Sequence, residues 1–384
     1  MDFSFTQEEI QFREEIREFV STIISDELVE EVERGCEIGI GPQSWKLMQQ
    51  MGERGWLAPA FPKEYGGLGA TRWQQFIISD EMTYQRAFPL HLCGVGIVGP
   101  TLLQYGTEEQ KKEYIPRIAR GEIEFALGYT EPEAGSDLAS LQVKAERKGD
   151  HYIVNGQKVF NTGCHFSQYV WLAARTDPDA PKHKGISLFI ADLKSPGITI
   201  RPLWVIDGDR TNEVFYDDVK IPVENRIGEE NRGFYYILTA LAHERSFPIG
   251  DLRRTFEEFV DFVKEEGLDR DPLVQQNVAK LASELQAATL LIYRVTWMTN
   301  QHISPNWEAP MVKVYLTEFM TRFSNIATEI MGPYGQLRKG SKWAPIKGRI
   351  ERLYRHAARR NISAGTSEIQ RNTIATVGLK LPRS

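Results

Sequence analysis

A single acidic residue that continues an apolar helical face is the first candidate for chemistry in this chain. Glu244 follows four apolar residues that recur at helical spacing. These residues are Phe234, Ile237, Leu238 and Leu241. A carboxylate on such a face is desolvated, which raises its pKa and makes it a better general base near neutral pH. The pattern leaves a second interpretation open, in which Glu244 lies at the edge of the stripe and pairs with Arg245 or Arg253.

A second candidate is the loop from Gly128 to Asp137, which reads G-Y-T-E-P-E-A-G-S-D. Pro132 fixes one backbone angle, and Gly135 permits a turn that other residues resist. Ser136 and Asp137 supply short polar groups that bond a nearby backbone or a ligand. The loop therefore either presents backbone N–H groups to an anion or a ring carbonyl, or forms an ordinary capped turn.

Composition excludes several classes of protein. The 384 residues are 41% hydrophobic, which suffices for two or three domains, and the net charge of −6 argues against a nucleic-acid binder. The sequence contains no run of 18 apolar residues, so we expect no membrane span. The polar N-terminus does not resemble a secretory signal. Cys36, Cys93 and Cys164 lack metal-ligand spacing, so we expect no metal site, reduced thiols and a cytoplasmic protein.

The pattern of apolar, polar and turn-forming residues divides the chain into three parts. Residues 1–120 read as helices, with a capping box of Thr6 and Glu9 and a cap at Thr107. Residues 121–228 read as strands, and Asn155-Gly156 signals a hairpin turn. The strand candidates are 141–146, 169–174, 186–190, 198–200 and 213–216. Residues 229–384 read as helices again. The predicted fold class is α+β and mainly α, with a β-barrel or sandwich-like domain between two helical ones.

The C-terminal helical part shows two long apolar stripes and a basic run. One stripe begins at Pro272 behind an Asp271 cap, and the other ends at Gly332. They predict a helical bundle that also suits a subunit interface. Between Arg338 and Arg360 nine basic residues accompany one acid, Glu351. Such a run is either a solvated face or an attractor of phosphates.

Five motifs, in order along the whole chain, resemble the acyl-CoA dehydrogenase family of flavoenzymes. They are Phe61–Gly69, Tyr105–Gln110, Thr130–Asp137, Val219–Phe234 and Gly365–Arg371. The resemblance implies FAD as cofactor and an acyl-CoA substrate. It also implies removal of a proton and a hydride from adjacent carbons of the thioester, with flavin N5 as hydride acceptor.

The resemblance also bears on the base. Most family members carry a glutamate in a Tyr-Glu-Gly-Thr sequence near the C-terminus, where this chain reads Ser363-Ala364-Gly365-Thr366. Alanine cannot accept a proton. A subset, isovaleryl-CoA dehydrogenase among them, places the glutamate just before an arginine on the first C-terminal-domain helix, as in His243-Glu244-Arg245 here. The resemblance thus implies Glu244 as base and Arg245 as a residue that steadies the substrate or a neighbouring loop.

Other site residues are implied position by position. Tyr129 and Thr130 match residues at the flavin pyrimidine edge, and Ser136 matches one that meets coenzyme A. Phe160 stands where tryptophan usually packs on the isoalloxazine, and Thr162 matches a residue that bonds near N5.

The remaining implied residues belong to the adenine and diphosphate half of the cofactor. Glu329 and Gly332 match a stretch that approaches the adenine half from the neighbouring subunit, whereas Thr366 and Glu368 match residues near the diphosphate or adenine end. One departure stands out. An Arg-x-x-Phe-Gly stretch, whose arginine reaches the partner's flavin diphosphate, is missing from residues 265–271, where Arg270 is a candidate substitute.

The resemblance implies partners as well. We expect an electron-transfer flavoprotein as electron acceptor and a tetramer built as a dimer of dimers. Bacterial relatives that act on steroid side-chain thioesters depart in similar ways and pair two different chains, so both homo- and hetero-oligomers are open. Fatty acid or steroid degradation is the expected pathway class of lipid metabolism. The alternatives are a non-catalytic partner subunit of a heteromeric dehydrogenase, and an acyl-CoA oxidase.

Overall fold

The computed structural model describes residues 3–87, 93–243 and 248–382. Helices dominate both terminal parts of the chain. Their bounds are α1 Gln7–Ile23, α2 Asp26–Glu33, α3 Gly35–Ile38, α4 Pro42–Glu53, α5 Arg72–Tyr84, α6 Gly99–Tyr105, α7 Glu108–Ala119, α8 Gly233–His243, α9 Gly250–Glu265, α10 Pro272–Asn300, α11 Glu308–Met331, α12 Arg349–Arg360 and α13 Ser367–Thr373. A π-helical turn, Gly94–Val98, precedes α6.

Within the described residues, eight strands form one mixed sheet between the helical parts. They are β1 Phe125–Gly128, β2 Lys144–Lys148, β3 His151–Lys158, β4 Tyr169–Arg175, β5 Ile186–Asp192, β6 Ile198–Trp204, β7 Arg210–Pro222 and β8 Arg226–Ile227. The strand order is β6-β7-β3-β2-β4-β5-β8, and β1 pairs in parallel with β4. The predicted fold class, helical parts around a central β domain, is confirmed.

The chain forms two compact units that interleave along the sequence. One contains residues 1–22, 71–86 and 247–384, and so holds α5 and the long helices α9 to α11. The other contains residues 23–70 and 87–246, and so holds the whole sheet with α6, α7 and α8. The domain boundaries expected at residues 120 and 228 stay a prediction.

Each unit has its own apolar core. In the first, the stripes of α10 and α11 are buried with aromatic residues of α5 and α9, as their helical spacing predicts. In the second, alternate residues of β4 serve two cores: Trp171 and Ala173 pack with α7 and α8, whereas Val170 and Leu172 pack on the other face. No described helix has the length and apolar composition needed to cross a bilayer.

The caps predicted from the sequence are present. Thr6 Oγ1 accepts from Glu9 N at 3.2 Å, and Glu9 Oε2 accepts from Thr6 N at 2.8 Å, which closes the predicted capping box. Thr107 forms a second box with Gln110. Asp271 Oδ1 accepts from Leu273 N at 2.8 Å ahead of Pro272. No disulfide joins Cys36, Cys93 and Cys164.

The hairpin predicted at Asn155-Gly156 is wrong. Both residues lie inside β3, and the chain instead turns at Gly149 and Asp150 between β2 and β3. Gly156, with a φ of 137°, forms a bulge at which the pairing with β7 shifts register. The Asn155 side chain exchanges two hydrogen bonds of 2.9 Å with Asp218 on β7. Asn155-Gly156, a dipeptide typical of turns, thus forms a β-bulge inside a strand. The strand expected from residue 141 starts only at Lys144.

Gly156→Ala tests the bulge. A Cβ at residue 156 would lie 2.8 Å from Val143 Cγ2 at a φ that L-residues rarely adopt, so we expect a loss of about 1–3 kcal/mol in the free energy of unfolding. Gly135→Ala is the matched control, because nothing lies within 4 Å of an added Cβ there. Chemical denaturation of both variants gives the comparison, and equal stabilities would contradict this interpretation of the bulge.

Candidate active site

The ends of β1 and β3 bring two of the predicted site stretches together. Val159 N donates to Thr130 O at 2.9 Å, so the backbone after β1 runs beside the backbone after β3. Tyr129 is buried and Thr130 is half-buried at this point. Phe160 and Thr162 follow within four residues of the end of β3. The structure therefore places the residues expected at the flavin ring in one region of one unit.

A buried ion pair fixes this region. Lys158 Nζ lies 2.7 Å from Glu131 Oε1 and donates to Tyr129 O at 3.0 Å, and the Lys158 side chain is fully buried. The Glu131 carboxylate also accepts from the backbone N–H groups of Gln142 and Val143. Burial lowers the pKa of Lys158 to about 8, although the Glu131 charge opposes this shift. The pair holds the Tyr129 carbonyl and the loop after β1 in one orientation.

Phe160 is presented outward by a strained backbone. Its φ is 59°, which is uncommon for a residue with a Cβ, and 57% of the residue is exposed. The neighbouring Asn161 is buried; its Nδ2 donates to Leu127 O, and its N–H donates to Asn212 O at 3.0 Å. Asn212 Nδ2 returns a bond to Asn161 O at 2.9 Å. Asn161 thus anchors the turn on which Phe160 stands.

The polar groups beside Phe160 complete a surface that suits a flat heteroaromatic ring. Thr162 is half-buried; its N–H donates to Phe160 O at 2.9 Å, and its Oγ1 lies 3.4 Å from Thr211 Oγ1. Asn161 Oδ1 is buried and finds no hydrogen-bond partner within the part of the chain that the structure describes. An apolar ring next to hydroxyl, amide and backbone groups fits the isoalloxazine of FAD.

The loop that carries Ser136 is an ordered turn. Glu131 and Ala134 exchange backbone hydrogen bonds of 3.1 and 3.2 Å, and Ser136 is exposed beyond them. Asp137 bonds Lys182 Nζ at 2.7 Å and Ser140 Oγ at 2.6 Å, and the Lys182 hydrogen bond is the largest cause of its lowered pKa. The loop is therefore an ordered turn with a bonded Asp137, but Gly135 has no positive φ, so the backbone freedom expected of this glycine is not used. Contact of Ser136 with coenzyme A stays a prediction.

The C-terminal candidates fall into two separate groups. Thr366 caps α13, and exposed Glu368 has a pKa lowered by its own backbone N–H and then by the Thr366 hydroxyl. This end of α13 lies near Lys313, whose charge also acts on Glu368. Glu329 lies in the last turn of α11, sixteen residues beyond Lys313 and so about 24 Å further along the helix, next to Gly332. Within one chain the structure does not bring the two groups together, and a role of Glu329 and Gly332 at a partner's cofactor stays a prediction.

Glu244 and Arg245 lie outside the described residues, but α8 before them is described. Leu238, placed on the apolar face by its spacing, is 51% exposed, so this assignment is wrong. The side of α8 that is buried instead holds Gly233, Tyr236, Ile237 and Ala240. This side of α8 faces β5, and Phe234 and Leu241 of the predicted stripe are partly buried against the same core.

Sequence reasoning missed several polar residues that build the site. Lys158, Glu131 and Asn161 position the ring surface, but in the sequence each reads as an ordinary polar residue of a strand end or loop. In the other unit Lys313 was missed as well; it is buried in α11 and donates to Asn361 O at 3.0 Å. One signal was available for Lys158, which is the last residue of β3 and directly precedes the apolar pair Val159-Phe160.

Lys158→Met tests the role of the buried pair. Removal of the ammonium group leaves the Glu131 carboxylate buried without its partner, and we expect a loss of about 3–5 kcal/mol in the free energy of unfolding. The double variant Lys158→Met/Glu131→Gln should recover part of this loss. Lys182→Met is the control, because its pair with Asp137 is exposed and should cost less than about 1 kcal/mol. Equal losses at Lys158 and Lys182 would show that the buried pair does not fix the site.

Comparison with known proteins places the chain in a family. Sequence models of the acyl-CoA dehydrogenase N-terminal, middle and C-terminal domains match residues 6–122, 126–219 and 231–379. Acyl-CoA dehydrogenase FadE26 of Mycobacterium tuberculosis is 36% identical over 399 residues, with 100% of both proteins covered. FadE29 of the same organism is 38% identical over 397 residues, with 100% of this chain and 99% of that protein covered.

Solved structures agree with these sequence matches. The Tcur3481-Tcur3483 steroid ACAD superposes with a TM-score of 0.94 at 36% identity, with 100% of both chains covered. The ChsE4-ChsE5 complex of Mycobacterium tuberculosis gives a TM-score of 0.91 at 35% identity, again over 100% of both chains. The chain therefore belongs to the acyl-CoA dehydrogenase family, and it is an FAD-dependent enzyme that dehydrogenates an acyl-CoA thioester.

Proposed function

We propose that Glu244 is the base of this dehydrogenase. The buried side of α8 runs through Gly233, Ile237 and Ala240, and helical spacing carries that side on to position 244. This is the observation on which the proposal depends. Ala364, at the place where most members carry their base, has no group that accepts a proton. A carboxylate on the buried side of α8 has a raised pKa, which suits proton abstraction near neutral pH.

The reaction divides between this base and the cofactor. The Glu244 carboxylate takes the proton from the α-carbon of the thioester, and the C–H electron pair left there forms the double bond as a hydride departs from the β-carbon. Bound FAD supplies the acceptor for that hydride. Phe160 would cover one face of the flavin ring, and the Tyr129 backbone and the Thr130 and Thr162 hydroxyls would hold its polar edge. Arg245 steadies the substrate.

The acyl group is bulky in this proposal, with steroid-derived thioesters as the first class to test. A solved relative that covers the whole chain supports it, since it is named a steroid ACAD. A base on α8 instead of on the loop at Ala364 also changes where the substrate has room. Branched and long-chain acyl groups are the comparison classes.

The active assembly contains a second, different chain in this proposal. Both solved relatives are named as pairs of proteins, Tcur3481-Tcur3483 and ChsE4-ChsE5. Residues 265–271 lack the Arg-x-x-Phe-Gly stretch, and Arg270 lies exposed in a short 3₁₀ turn from which it can reach a partner's diphosphate. A dimer of dimers, a cytoplasmic location and an electron-transfer flavoprotein as acceptor belong to the same proposal.

The second candidate places the base of the dehydrogenase on the other chain of the assembly, so that this chain is its non-catalytic partner subunit. Ala364 provides no base, and the acidic Glu265 and Glu266 near the missing arginine do not attract a phosphate; both observations favour this candidate. The two candidates differ in where the base of the assembly lies. Glu244 carries the chemistry in the first and is dispensable in the second.

Glu244→Gln separates these candidates. We expect the variant, in the assembled enzyme, to retain its FAD absorbance but to lose bleaching of the flavin by an acyl-CoA in the absence of oxygen, since the amide cannot take the proton. The control is Glu14→Gln, an exposed glutamate of α1. Flavin reduction at the wild-type rate in Glu244→Gln would assign the base to another residue or another chain.

A base placed at position 364 should not rescue that variant. Ala364 has a φ of 54°, and a glutamate there would have to fit its longer side chain where a methyl group now stands, which crowds the pocket. We therefore expect the double variant Glu244→Gln/Ala364→Glu to stay inactive in the same bleaching assay. Recovery of activity would show that the C-terminal loop still faces the substrate α-carbon.

The flavin content of the purified chain tests the assembly. We expect the chain alone to bind much less than one FAD per protomer and to become yellow only when it is produced together with the second chain. Absorbance spectra and light scattering measure cofactor content and mass on the same sample. A homotetramer with one FAD in every protomer would contradict the shared site.

A further inference from the structure

Glu124 is a buried carboxyl group whose position the dehydrogenation has not yet explained. It lies at the start of β1 with 1% of the residue exposed. Its Oε1 accepts from Gly94 N at 2.7 Å and from Phe125 N at 2.9 Å. Its backbone also bonds Gln168 on the entry to β4, with Glu124 N donating to Gln168 Oε1 at 2.8 Å. No cation among the described residues pairs with this carboxyl group.

The Glu124 side chain holds the π-helical turn Gly94–Val98. Gly94 is the first residue of the turn, and a Cβ there would lie 3.4 Å from Glu124 Oε1 and 3.3 Å from Ile118, so the fit is close. π-Helical turns are rare and occur mostly at functional sites. The turn contacts both β1 and α8. One oxygen atom therefore joins β1, the strand that ends at Gly128 just before Tyr129, to the turn that contacts α8.

We propose that Glu124 is a positioning residue for the dehydrogenation, and that its neutral carboxyl group sets the π-helical turn against α8 and so sets the position from which Glu244 acts. The inference rests on the proposed role of Glu244. Ionisation of Glu124 places an uncompensated charge in the core and loosens the turn. Turnover then falls at alkaline pH through a residue that does not touch the substrate.

The surroundings of Glu124 support a neutral carboxyl group at physiological pH. Burial raises its pKa to about 8, against the effect of the N–H groups of Gly94, Phe125 and Cys93. The residues with ionisable side chains that pack in the same core are Cys93 beside the turn, Tyr114 on α7, Tyr169 on β4 and Tyr236 on α8. The charged side chains of these elements include Arg117 and Lys111 on α7, which pair with Glu113 and Glu108, and Arg175 on β4, which donates to Leu141 O and Ala139 O.

The linkage to stability follows from these pKa values. The carboxyl group of the unfolded chain ionises near 4.5, whereas that of the folded chain ionises near 8. Stabilisation by the neutral group is therefore fully present below about pH 4.5 and is lost as the pH rises to about 8. Glu124→Gln keeps an Oε1 acceptor for Gly94 N and Phe125 N but cannot ionise.

The first test measures stability and needs no substrate. Thermal unfolding midpoints of the wild-type and Glu124→Gln holoenzymes are compared from about pH 5 to about pH 9. We expect the wild type to lose stability relative to Glu124→Gln across this range. Glu122→Gln, an exposed carboxylate two residues earlier, should run parallel to the wild type. Parallel curves for Glu124→Gln would show that Glu124 is ionised throughout, and this would overturn the proposal.

The second test measures catalysis with an acyl-CoA and an artificial electron acceptor. Glu124→Leu removes the acceptor of two backbone N–H groups, and we expect kcat to fall by about 10- to 100-fold with FAD still bound. Glu124→Gln should restore most of that loss and remove the fall in kcat above about pH 8. A Glu124→Leu enzyme with wild-type kcat and pH profile would overturn the proposal. A wild type that fails to bleach with any acyl-CoA would instead refute the proposed function and leave the stability test standing.

Discussion

The site depends on one buried ion pair between Lys158 and Glu131. A charge taken out of water is costly unless every donor and acceptor around it is satisfied. Here the ammonium group reaches both Glu131 and the Tyr129 carbonyl, and the carboxylate also accepts from two backbone N–H groups of the 141–143 segment. These bonds hold together three segments that are not paired as strands with one another: the loop after β1, the end of β3 and residues 141–143. These bonds fix the loop after β1 at the place where the flavin ring is expected.

Other buried side chains near the site also bond backbone groups of segments that lack a strand partner. Arg175 is buried at the end of β4 and donates to Leu141 O at 3.0 Å and to Ala139 O at 2.7 Å, which fixes the far side of the loop that Glu131 holds. Glu124 ties the π-helical turn to β1 by accepting from backbone N–H groups. Each side chain satisfies main-chain groups that would otherwise be buried without a partner, and such groups are expensive to leave unpaired. The loops are ordered by buried polar residues rather than by apolar packing.

These buried polar groups mark the limit of what the sequence predicts. Helix caps, apolar stripes and the order of helical and strand-rich parts follow from local chemistry, and the structure confirms the Thr6, Thr107 and Asp271 caps. Lys158 and Glu131 read as surface residues because their partners lie 27 positions apart along the chain. The hairpin prediction at Asn155-Gly156 was wrong for a similar reason, because pairing with the neighbouring strand β7 decides whether these residues form a turn or a bulge. The assignment of Leu238 to the buried side of α8 was wrong because packing of the helix against β5 decides which side is buried.

Rigidity also explains why a helix is a good place for the proposed base. Position 364 belongs to a turn in which Ala364 and Gly365 both adopt positive φ, and this turn is held by bonds such as Gln370 Nε2 to Ala364 O at 3.1 Å. A carboxylate on such a turn takes its position from a few local bonds. The residues before Glu244 are instead set by Ile237 and Ala240, which are fully buried against the sheet. The position of a base at the end of α8 is therefore set by the buried core. The π-helical turn contacts α8 and is bonded to Glu124, which directly precedes β1, and the chain continues from β1 into Tyr129. α8, the π-helical turn and β1 thus form one continuous set of contacts within a single unit, between the proposed base and the expected flavin edge.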